Sequence, residues 1–567
     1  MKHELETSLQ LAVEAFLAEH GEEDGARVSL SRPKTTEHGD YAANVAMPLA
    51  SRVGLKPHAV AARLLELVEW PPEVEKTEIA GPGFINIYLQ HAMEATVLAH
   101  IVSTAVGYGC VSAEDGPSAC VEFVSANPTG PMHVGHGRGA VVGDAMARVM
   151  AARGVRVHKE YYINDAGNQV GVLADSVWLR MRELQGEKVD FPASAYPGEY
   201  VVEAARQMLQ KVPFSELSEM DAEQRRMFLG QEAVRLMMEI IRDDLGALGI
   251  HFDRFFSERT LHASGRIESM IGHLEERGIA YRGVLPPPKG KEVANYRPVE
   301  QLLFRTTDYG DDVDRPLIKQ DGTPTYFAAD IAYHMEKHER DFDRLVDVWG
   351  ADHGGYITRV QAAMQALTGK KHQPEVVLVQ MVNLTREGKP VRMSKRAGTF
   401  VTLREVVDEV GSDAVRFNFL TRRAESQLDF DLETAKQKSD ENPVYYVQYG
   451  HARVCSILQK AAEEGVELAD PASVEVSRLI EAEEQLLIKQ LLGYPEVLEQ
   501  AASRLEPYRV ATYLTSLASD LHTYYHKYRV VGDDAELTQA RLLLMRAVGQ
   551  VIRNGLGLLG VAAPERM

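Results

Sequence analysis

The side chains best suited to chemistry lie in Asn127-Pro128-Thr129-Gly130-Pro131-Met132-His133-Val134-Gly135-His136. This stretch follows a short apolar run and precedes a helical stripe. It therefore aims a helix N-terminus, with its unsatisfied N–H groups, at an anion. His133 and His136, three residues apart, fall on one side of that first turn and can donate to phosphate oxygens. Gly135 between them removes a side chain where a flat base would lie against the backbone. Two other readings compete: a zinc site, and a His pair that merely caps the turn. Zinc is the weaker, because no further Cys or His follows at ligand spacing.

A second segment, Val391-Arg392-Met393-Ser394-Lys395-Arg396-Ala397-Gly398, is flanked by Gly388 and Gly398 and predicts a mobile surface loop. Thr402 with Glu405 then predicts a capping box that starts a helix. A basic loop ahead of a helix start suits the clamping of a polyphosphate. By itself it also fits a plain solvated loop.

These residues must be held by elements, and the hydrophobic periodicity outlines them. Leu9, Val13, Phe16 and Leu17 predict an opening helix. Gly81-Pro82-Gly83 predicts a turn before an alternating strand from Phe84 to Tyr88. The acidic stretch from Ala113 to Ser118 predicts a boundary. After it come a strand over 119–124, a helix whose stripe is Val141, Ala145 and Val149, a stop at Gly154, and a strand over 155–163. That alternation predicts a parallel, doubly wound sheet. Helix-rich sequence around 172–248 predicts an insertion, and strands resume at 344–349 and 375–381. From about Asp440 the strands stop, and Leu486, Leu487, Leu491, Leu514, Leu517, Leu543 and Leu544 predict a helical bundle.

The composition is that of an ordinary globular chain, 45% hydrophobic and 25% charged over 567 residues, a length that predicts three to four domains. No apolar run is long enough to span a membrane. Met1 to Gln10 carries Glu4 and Glu6 and no apolar core, which predicts no secretory signal. Cys110, Cys120 and Cys455 are too few for a disulfide scaffold, so a reducing cytoplasm fits. The net charge of −20 is not that of a typical nucleic-acid binder, so any phosphate contact must come from local patches. One basic stretch, Arg138, Arg148, Arg153, Arg156 and Lys159, predicts either such a patch or a solvated face.

His-x-Gly-His followed about 260 residues later by Met-Ser-Lys is the double signature of class I aminoacyl-tRNA synthetases. The surrounding words "VEFVSANPTGPMHVGHGRGAVVGDAMARV", "YYINDAGNQ", "GADHGGY", "MSKRAGTFVTL", "YVQYGHARVCSI" and the closing "APERM" resemble bacterial arginyl-tRNA synthetases, as do "GDYAANVAMPLA" and "AGPGFINIYL". One departure stands out: the family's loop signature begins with Lys, and here Arg392 takes that place. Arg keeps the charge but not the geometry.

The resemblance implies a fold of three parts. They are an N-terminal α+β appended domain over 1–112 that grips the tRNA elbow, a Rossmann-like doubly wound catalytic domain over 113–435, and a helical anticodon-binding bundle over 436–567. It implies ATP-dependent activation of L-arginine and transfer to tRNA, with Mg²⁺ on the ATP and no protein-bound zinc. His133, His136 and Lys395 would stabilise charge at the phosphates. Gly135, Gly350, Asp352, Met393 and Ser394, with His353 less firmly, would contact ATP. Carboxylates suit a guanidinium, which offers five donors in a rigid fork. By motif position Glu258 and Asp330, with Tyr326 one turn before it, match the guanidinium partners. Asn127 and Glu122 match the positions that hold the α-amino and carboxylate end.

Phe84 and Asn86 match positions that stack on and read an unstacked tRNA base. Tyr524, Tyr525 and Tyr528, interleaved with His526, Lys527 and Arg529, suit anticodon bases; a packed helix face is the plainer alternative. The family also forms its adenylate only with tRNA bound, which would require coupling between the bundle and the Arg392–Arg396 loop. No dimer signature is evident, so a monomer is the default. A small-molecule nucleotidyltransferase or a non-catalytic RNA-binding paralogue are the competing functions, and ATP-dependent charging of tRNA separates all three. The reading predicts that His136→Ala and Lys395→Ala each lower the rate of arginine activation by about 10²-fold while leaving the fold intact. Pyrophosphate exchange and circular dichroism check this, and near-wild-type exchange would remove either residue from the site.

Overall fold

The structure is a computed structural model and describes residues 2–22, 27–33, 38–89, 92–285, 299–391 and 401–567. The Arg392–Gly398 loop, with Met393, Ser394 and Lys395, lies outside the described residues. Contacts group the chain into two compact units. One is Met1–Ser103 with Gly465–Ile488 and Arg529–Ala547; the other is Thr104–Glu464 with Lys489–Tyr528 and Val548–Met567.

The first unit opens with the helix Lys2–Glu19, whose Leu9, Val13, Phe16 and Leu17 are buried as their spacing predicts. Four strands follow: β1 Leu30–Ser31, β2 Tyr41–Ala43, β3 Val74–Ala80 and β4 Phe84–Leu89. They pair antiparallel in the order β1-β2-β4-β3. In β4 the period of two sends Ile85 and Ile87 into the core. Phe84 and Asn86 share the opposite face, where Phe84 is exposed and Asn86 is buried.

The second unit is built on parallel strands. β5 Ser118–Glu122 is followed by the helix Val134–Ala152, and β6 Arg156–Ile163 by the helices Asn168–Leu184, Glu199–Lys211, Phe214–Glu219 and Ala222–Ala247. These helices form the expected insertion, with a core of their own that includes Leu173, Val177, Met208, Leu229 and Met237. β7 Arg254–Ser257 comes next, then a small antiparallel sheet of β8 Ala280–Val284, β9 Glu300–Phe304 and β10 Arg315–Pro316. The helix Tyr326–Glu339 leads into β11 Arg344–Gly350, and Ile357–Thr368 into β12 Glu375–Val379. A last sheet joins β13 Val382–Arg386 to β14 Lys389–Pro390 and β15 Leu428–Asp431.

The main sheet has the order β12-β11-β5-β6-β7, all parallel. Numbered along the chain this is 5-4-1-2-3, the doubly wound order. Its switch point lies between the first and fourth strands, and ligands bind beyond the carboxyl ends there. Beyond β15 the secondary structure is helical, with Pro443–Glu463, Ala482–Ser503, Tyr508–Lys527 and Ala535–Leu558 as its long helices. Among the described residues no helix is long and apolar enough to cross a membrane.

The basic stretch from Arg138 to Lys159 is neither a phosphate patch nor a solvated face. Arg138 is fully buried and donates to the carbonyls of Gln380, Ser426 and Arg423. Arg153 pairs with Glu499 and the Gly109 carbonyl, and Arg156 donates to the Gly116 carbonyl. Arg148 and Lys159 converge on the buried Asp144. The third partner there, Arg416, is fully buried, with its guanidinium 2.6 Å from Asp144. Arg416 also donates to the carbonyls of Leu248 and Leu559, so one ion cluster ties the helix after β5 to the C-terminal residues of the same unit. Burial raises the Asp144 carboxyl, but Arg416 and Arg148 more than reverse this and hold it below its ordinary range. Asp144→Asn leaves Arg416 buried without a counter-charge, which costs about 3–5 kcal/mol. The expected result is a clear fall in thermal midpoint, read by calorimetry; an unchanged midpoint would show that this cluster does not hold the unit.

Candidate active site

β5 ends at Glu122, and the chain then turns sharply. Val124 and Ser125 both have positive φ, 71° and 38°. For a β-branched Val this is a strained conformation, of the kind that accumulates at functional sites. The turn delivers Asn127 to the surface and brings His133 to the N-cap of the helix Val134–Ala152. The two His rings stack with centroids 3.7 Å apart. The backbone N–H of His133 donates to Nδ1 of His136 at 3.3 Å. With Nδ1 accepting, the neutral His136 ring carries its proton on Nε2, where it can donate to a phosphate oxygen. The pair therefore caps the turn and remains chemically equipped; the two readings of the sequence are not exclusive. A Cβ on Gly135 would stand 3.0 Å from the His133 ring, so a side chain here would displace it.

Thr402 and Glu405 form the expected capping box on the helix Leu403–Val410. At that point the chain leaving the signature loop is fastened to the His segment. Thr402 bridges His133 in antiparallel fashion, and the Leu403 N–H donates to the Met132 carbonyl at 2.8 Å. Across the switch point, β11 ends in Gly350, where a Cβ would lie 2.6 Å from an oxygen of Asp352. Asp352 and His353 are exposed beside it.

The carboxylates gather around Tyr162, near the carboxyl end of β6. Glu122, Glu258 and Asp330 all act on the buried Tyr162 hydroxyl, which burial and these charges push far above its ordinary range. Burial pushes Glu258 up to about 7, aided by Asp330 and Asp165 and opposed by the Tyr162 hydroxyl. Its Oε2 is buried and accepts no hydrogen bond among the described residues. Burial likewise pushes Asp330 up to about 6, against the Tyr356 hydroxyl that donates to it. Tyr326 is exposed at the start of the same helix, its ring beside the backbone of Gly167. Glu122 is more firmly tied: its oxygens accept from Ser125 at 2.9 Å and from Lys337 at 2.7 Å.

The expected residues Glu122, Glu258 and Asp330 thus meet in one place, with the His pair at the carboxyl end of the neighbouring β5. Tyr162, Tyr356, His334 and Lys337 were not singled out. The first two sit inside the quoted words "YYINDAGNQ" and "GADHGGY", but only the fold points them inward. In the C-terminal helices Tyr524 is fully buried, so its ring packs inside and faces no base; Tyr528 stacks on it at 5.3 Å. Tyr525 is exposed. The guanidinium of Arg453 lies 4.6 Å from the Tyr525 ring and 4.6 Å from the Tyr449 ring, and Tyr445 stacks on Tyr449. Tyr525 thus joins a half-buried aromatic–basic stripe with helical spacing in 445, 449 and 453, whereas Tyr524 belongs to the packed face.

A doubly wound sheet with a His-capped helix at its switch point defines a nucleotide-using α/β enzyme. The comparisons agree and go further. The family model "tRNA synthetases class I (R), catalytic domain" matches residues 98–418. "Arginyl tRNA synthetase N terminal domain" matches residues 3–89, and "DALR anticodon binding domain" matches residues 447–567. The arginine–tRNA ligase of Magnetococcus marinus is 49% identical over all of both chains. That of Azorhizobium caulinodans is 48% identical over 98% of this chain and 97% of its own. The Thermus thermophilus arginyl-tRNA synthetase structure superposes over all of both chains with a TM-score of 0.77 at 23% identity, which shows the shared fold. The chain belongs to the class I arginyl-tRNA synthetases.

The raised Glu258 and Asp330 carboxyls set a pH dependence. A guanidinium bound between them would need both as anions, and it stays charged throughout. Affinity for arginine should rise with pH through about 6 to 7 and level off above. Below the higher value, the ionised fraction falls about tenfold per pH unit. The folded, ligand-free protein holds these protons more tightly than the unfolded chain does. The two groups therefore lower its stability as pH rises from about 4, through about 6 for Asp330 and about 7 for Glu258. Arginine-induced thermal stabilisation should accordingly be larger at pH 8 than at pH 6. A pH-independent shift would show that neither carboxyl binds the cation.

Proposed function

We propose that this enzyme, which charges tRNA with arginine, recognises the guanidinium through the carboxylates around Tyr162 and activates the amino acid beside His133 and His136. The observation that carries the reading is the buried, unpartnered Oε2 of Glu258 next to Asp330. Carboxylates held close in a buried site repel one another, and a planar cation with five donors relieves that repulsion. Tyr326 flanks the guanidinium, and Asn127 with Glu122 takes the α-amino and carboxylate end. ATP enters as substrate with its magnesium, against Gly135, Gly350, Asp352, Met393 and Ser394.

The carboxylate oxygen of arginine attacks the α-phosphorus of ATP, and pyrophosphate leaves. His133, His136 and Lys395 hold the negative charge that spreads over the phosphate oxygens. The terminal ribose hydroxyl of tRNA then attacks the carbonyl carbon of the arginyl-adenylate, loses its proton, and AMP leaves. No protein nucleophile takes part. The residues 1–112 grip the tRNA elbow through Phe84 and Asn86, and the residues 436–567 take the anticodon. There Tyr525 and Arg453 support base stacking, with Tyr528 alongside; the buried Tyr524 backs them from inside. The unpaired Cys110, Cys120 and Cys455 suit work in the cytoplasm.

Dependence of activation on tRNA has a physical route. The helix Leu403–Val410, fastened to His133 at its start, leads into the helix Ser412–Phe419. Asp413 there accepts from Gln448 of the helix Pro443–Glu463 at 2.8 Å and from the Ala562 N–H. Binding at the bundle can therefore bias the loop toward its phosphate-contacting state. One experiment tests the reading. Pyrophosphate exchange is measured with and without tRNA, in the wild type and in Asp330→Asn. Exchange should require tRNA, and the variant should raise KM for arginine about tenfold or more while leaving KM for ATP within about twofold. Equal effects on the two constants would remove Asp330 from the guanidinium site. Full exchange in tRNA-free enzyme would remove the coupling alone.

A further inference from the structure

Glu122 and Asp347 are register partners on the adjacent parallel strands β5 and β11, two carboxylates side by side at the switch point. Both are buried, and like charges so placed repel. The ammonium of Lys337, itself 1% exposed, lies 2.7 Å from Glu122 and 2.7 Å from Asp347. Asp347 also takes Nε2 of His334 at 2.8 Å, while Nδ1 of His334 meets the Asp330 carbonyl at 2.7 Å. Residues 330, 334 and 337 recur at helical spacing, so one helix face joins the guanidinium carboxylate to this buried cluster. Ligand atoms of Glu122, His334 and Asp347 lie within 4.8 Å of one another, a spacing that would suit a metal ion. The cation is already there: Lys337 takes two of the three ligands, and a divalent ion beside its ammonium would be repelled.

We propose that Lys337 is a positioning residue for the amino acid, clamping Glu122 against Asp347 so that the Glu122 carboxylate is presented to the α-ammonium of arginine. The inference rests on the reading above, in which the guanidinium lies toward Glu258 and Asp330. It assigns the buried cluster a role that folding alone does not demand. Glu122 ends β5 at the mouth of the site, and Ser125 on the strained turn orients its other oxygen. Lys337 is shared equally by the inner carboxylate, Asp347, and the outer one, Glu122, so one cation faces two anions and the pair keeps a negative charge that the α-ammonium can answer. Arginine then carries two cations to two separate acidic positions, which fixes its direction in the pocket.

The test measures binding of three probes by competition in pyrophosphate exchange: arginine, 5-guanidinopentanoic acid, which lacks the α-amino group, and citrulline, which lacks the guanidinium charge. The wild type should prefer arginine over both. Lys337→Met should lose about tenfold or more of the preference for arginine over 5-guanidinopentanoic acid and keep its preference over citrulline. Glu122→Gln should show the same loss, and the two changes combined should lose no more than one. Because Lys337→Met leaves two buried anions facing each other, the paired variant Lys337→Met with Asp347→Asn is measured beside it. That variant should regain thermal stability without regaining the α-amino preference. Recovery of both, or additive losses with Glu122→Gln, would overturn the proposal. A wild type that binds citrulline as well as arginine would overturn the guanidinium reading instead, and the inference with it.

Discussion

Two carboxylates stand side by side where β5 meets β11, and the sheet can close over them because the ammonium of Lys337 lies between. Removing charge from water is expensive, and a buried group of like charges is held only by a counter-charge at hydrogen-bond distance. Burial alone would lower the Lys337 ammonium, but Asp347 and Glu122 reverse this and hold it protonated. The helix Tyr326–Glu339 is thereby pinned to the strands by its last turns, and its first turn is left to carry Tyr326 and Asp330. The position of Asp330 and Glu122 thus follows from the buried pairing of Lys337 with Asp347 and Glu122.

The same logic recurs at larger scale. Asp144 gathers Arg148, Lys159 and Arg416, and Arg416 reaches carbonyls from two distant parts of the unit. Glu160 takes the bidentate Arg340 and the Tyr333 hydroxyl beneath the same helix. In each case cations at hydrogen-bond distance complete the scaffold, whereas Oε2 of Glu258 accepts no hydrogen bond among the described residues. Glu258 and Asp330 sit above their ordinary range because burial penalises their charged forms by more than the Tyr162 and Tyr356 hydroxyls and the nearby His334 and His353 offset. The scaffold is neutralised from within and the pocket is left acidic, which is the electrostatic condition for selecting a cationic amino acid.

The His133–His136 end of the sheet is organised by the backbone. Positive φ at Val124 and Ser125 redirects the chain out of β5, and the helix that follows is capped by His133 and His136. Thr402 and Leu403 stitch the far end of the signature loop to Met132 and His133, although the two lie about 270 residues apart in sequence. Thr402 and the His pair are thus joined through backbone contacts. The helices after Thr402 continue from there toward residues Gln448 and Ala562.

Local signals in the chain were enough for the order of elements. Periodicity placed the helix with Val141, Ala145 and Val149, the strand ending at Ile163 and the helical insertion. The Thr402–Glu405 capping box was legible because it spans a single turn. The doubly wound class was legible as well, since alternating strands and helices leave few other topologies. The motifs also named Glu122, Glu258 and Asp330, but not what surrounds them. Whether a charged side chain faces solvent or interior depends on partners far away in sequence, and no local pattern encodes that. Arg138, part of a stretch that reads as a basic patch or a solvated face, proves to be fully buried. Tyr524 and Tyr525 are neighbours in the chain, yet one is core and the other surface, because a helix turns about 100° between them. Lys337 carries no motif; its place between Glu122 and Asp347 exists only once β5 and β11 pair and the helix packs across them. The chain's local chemistry set which groups are available, and the long-range closure of the sheet decided which of them are neutralised and which are left to meet the substrate.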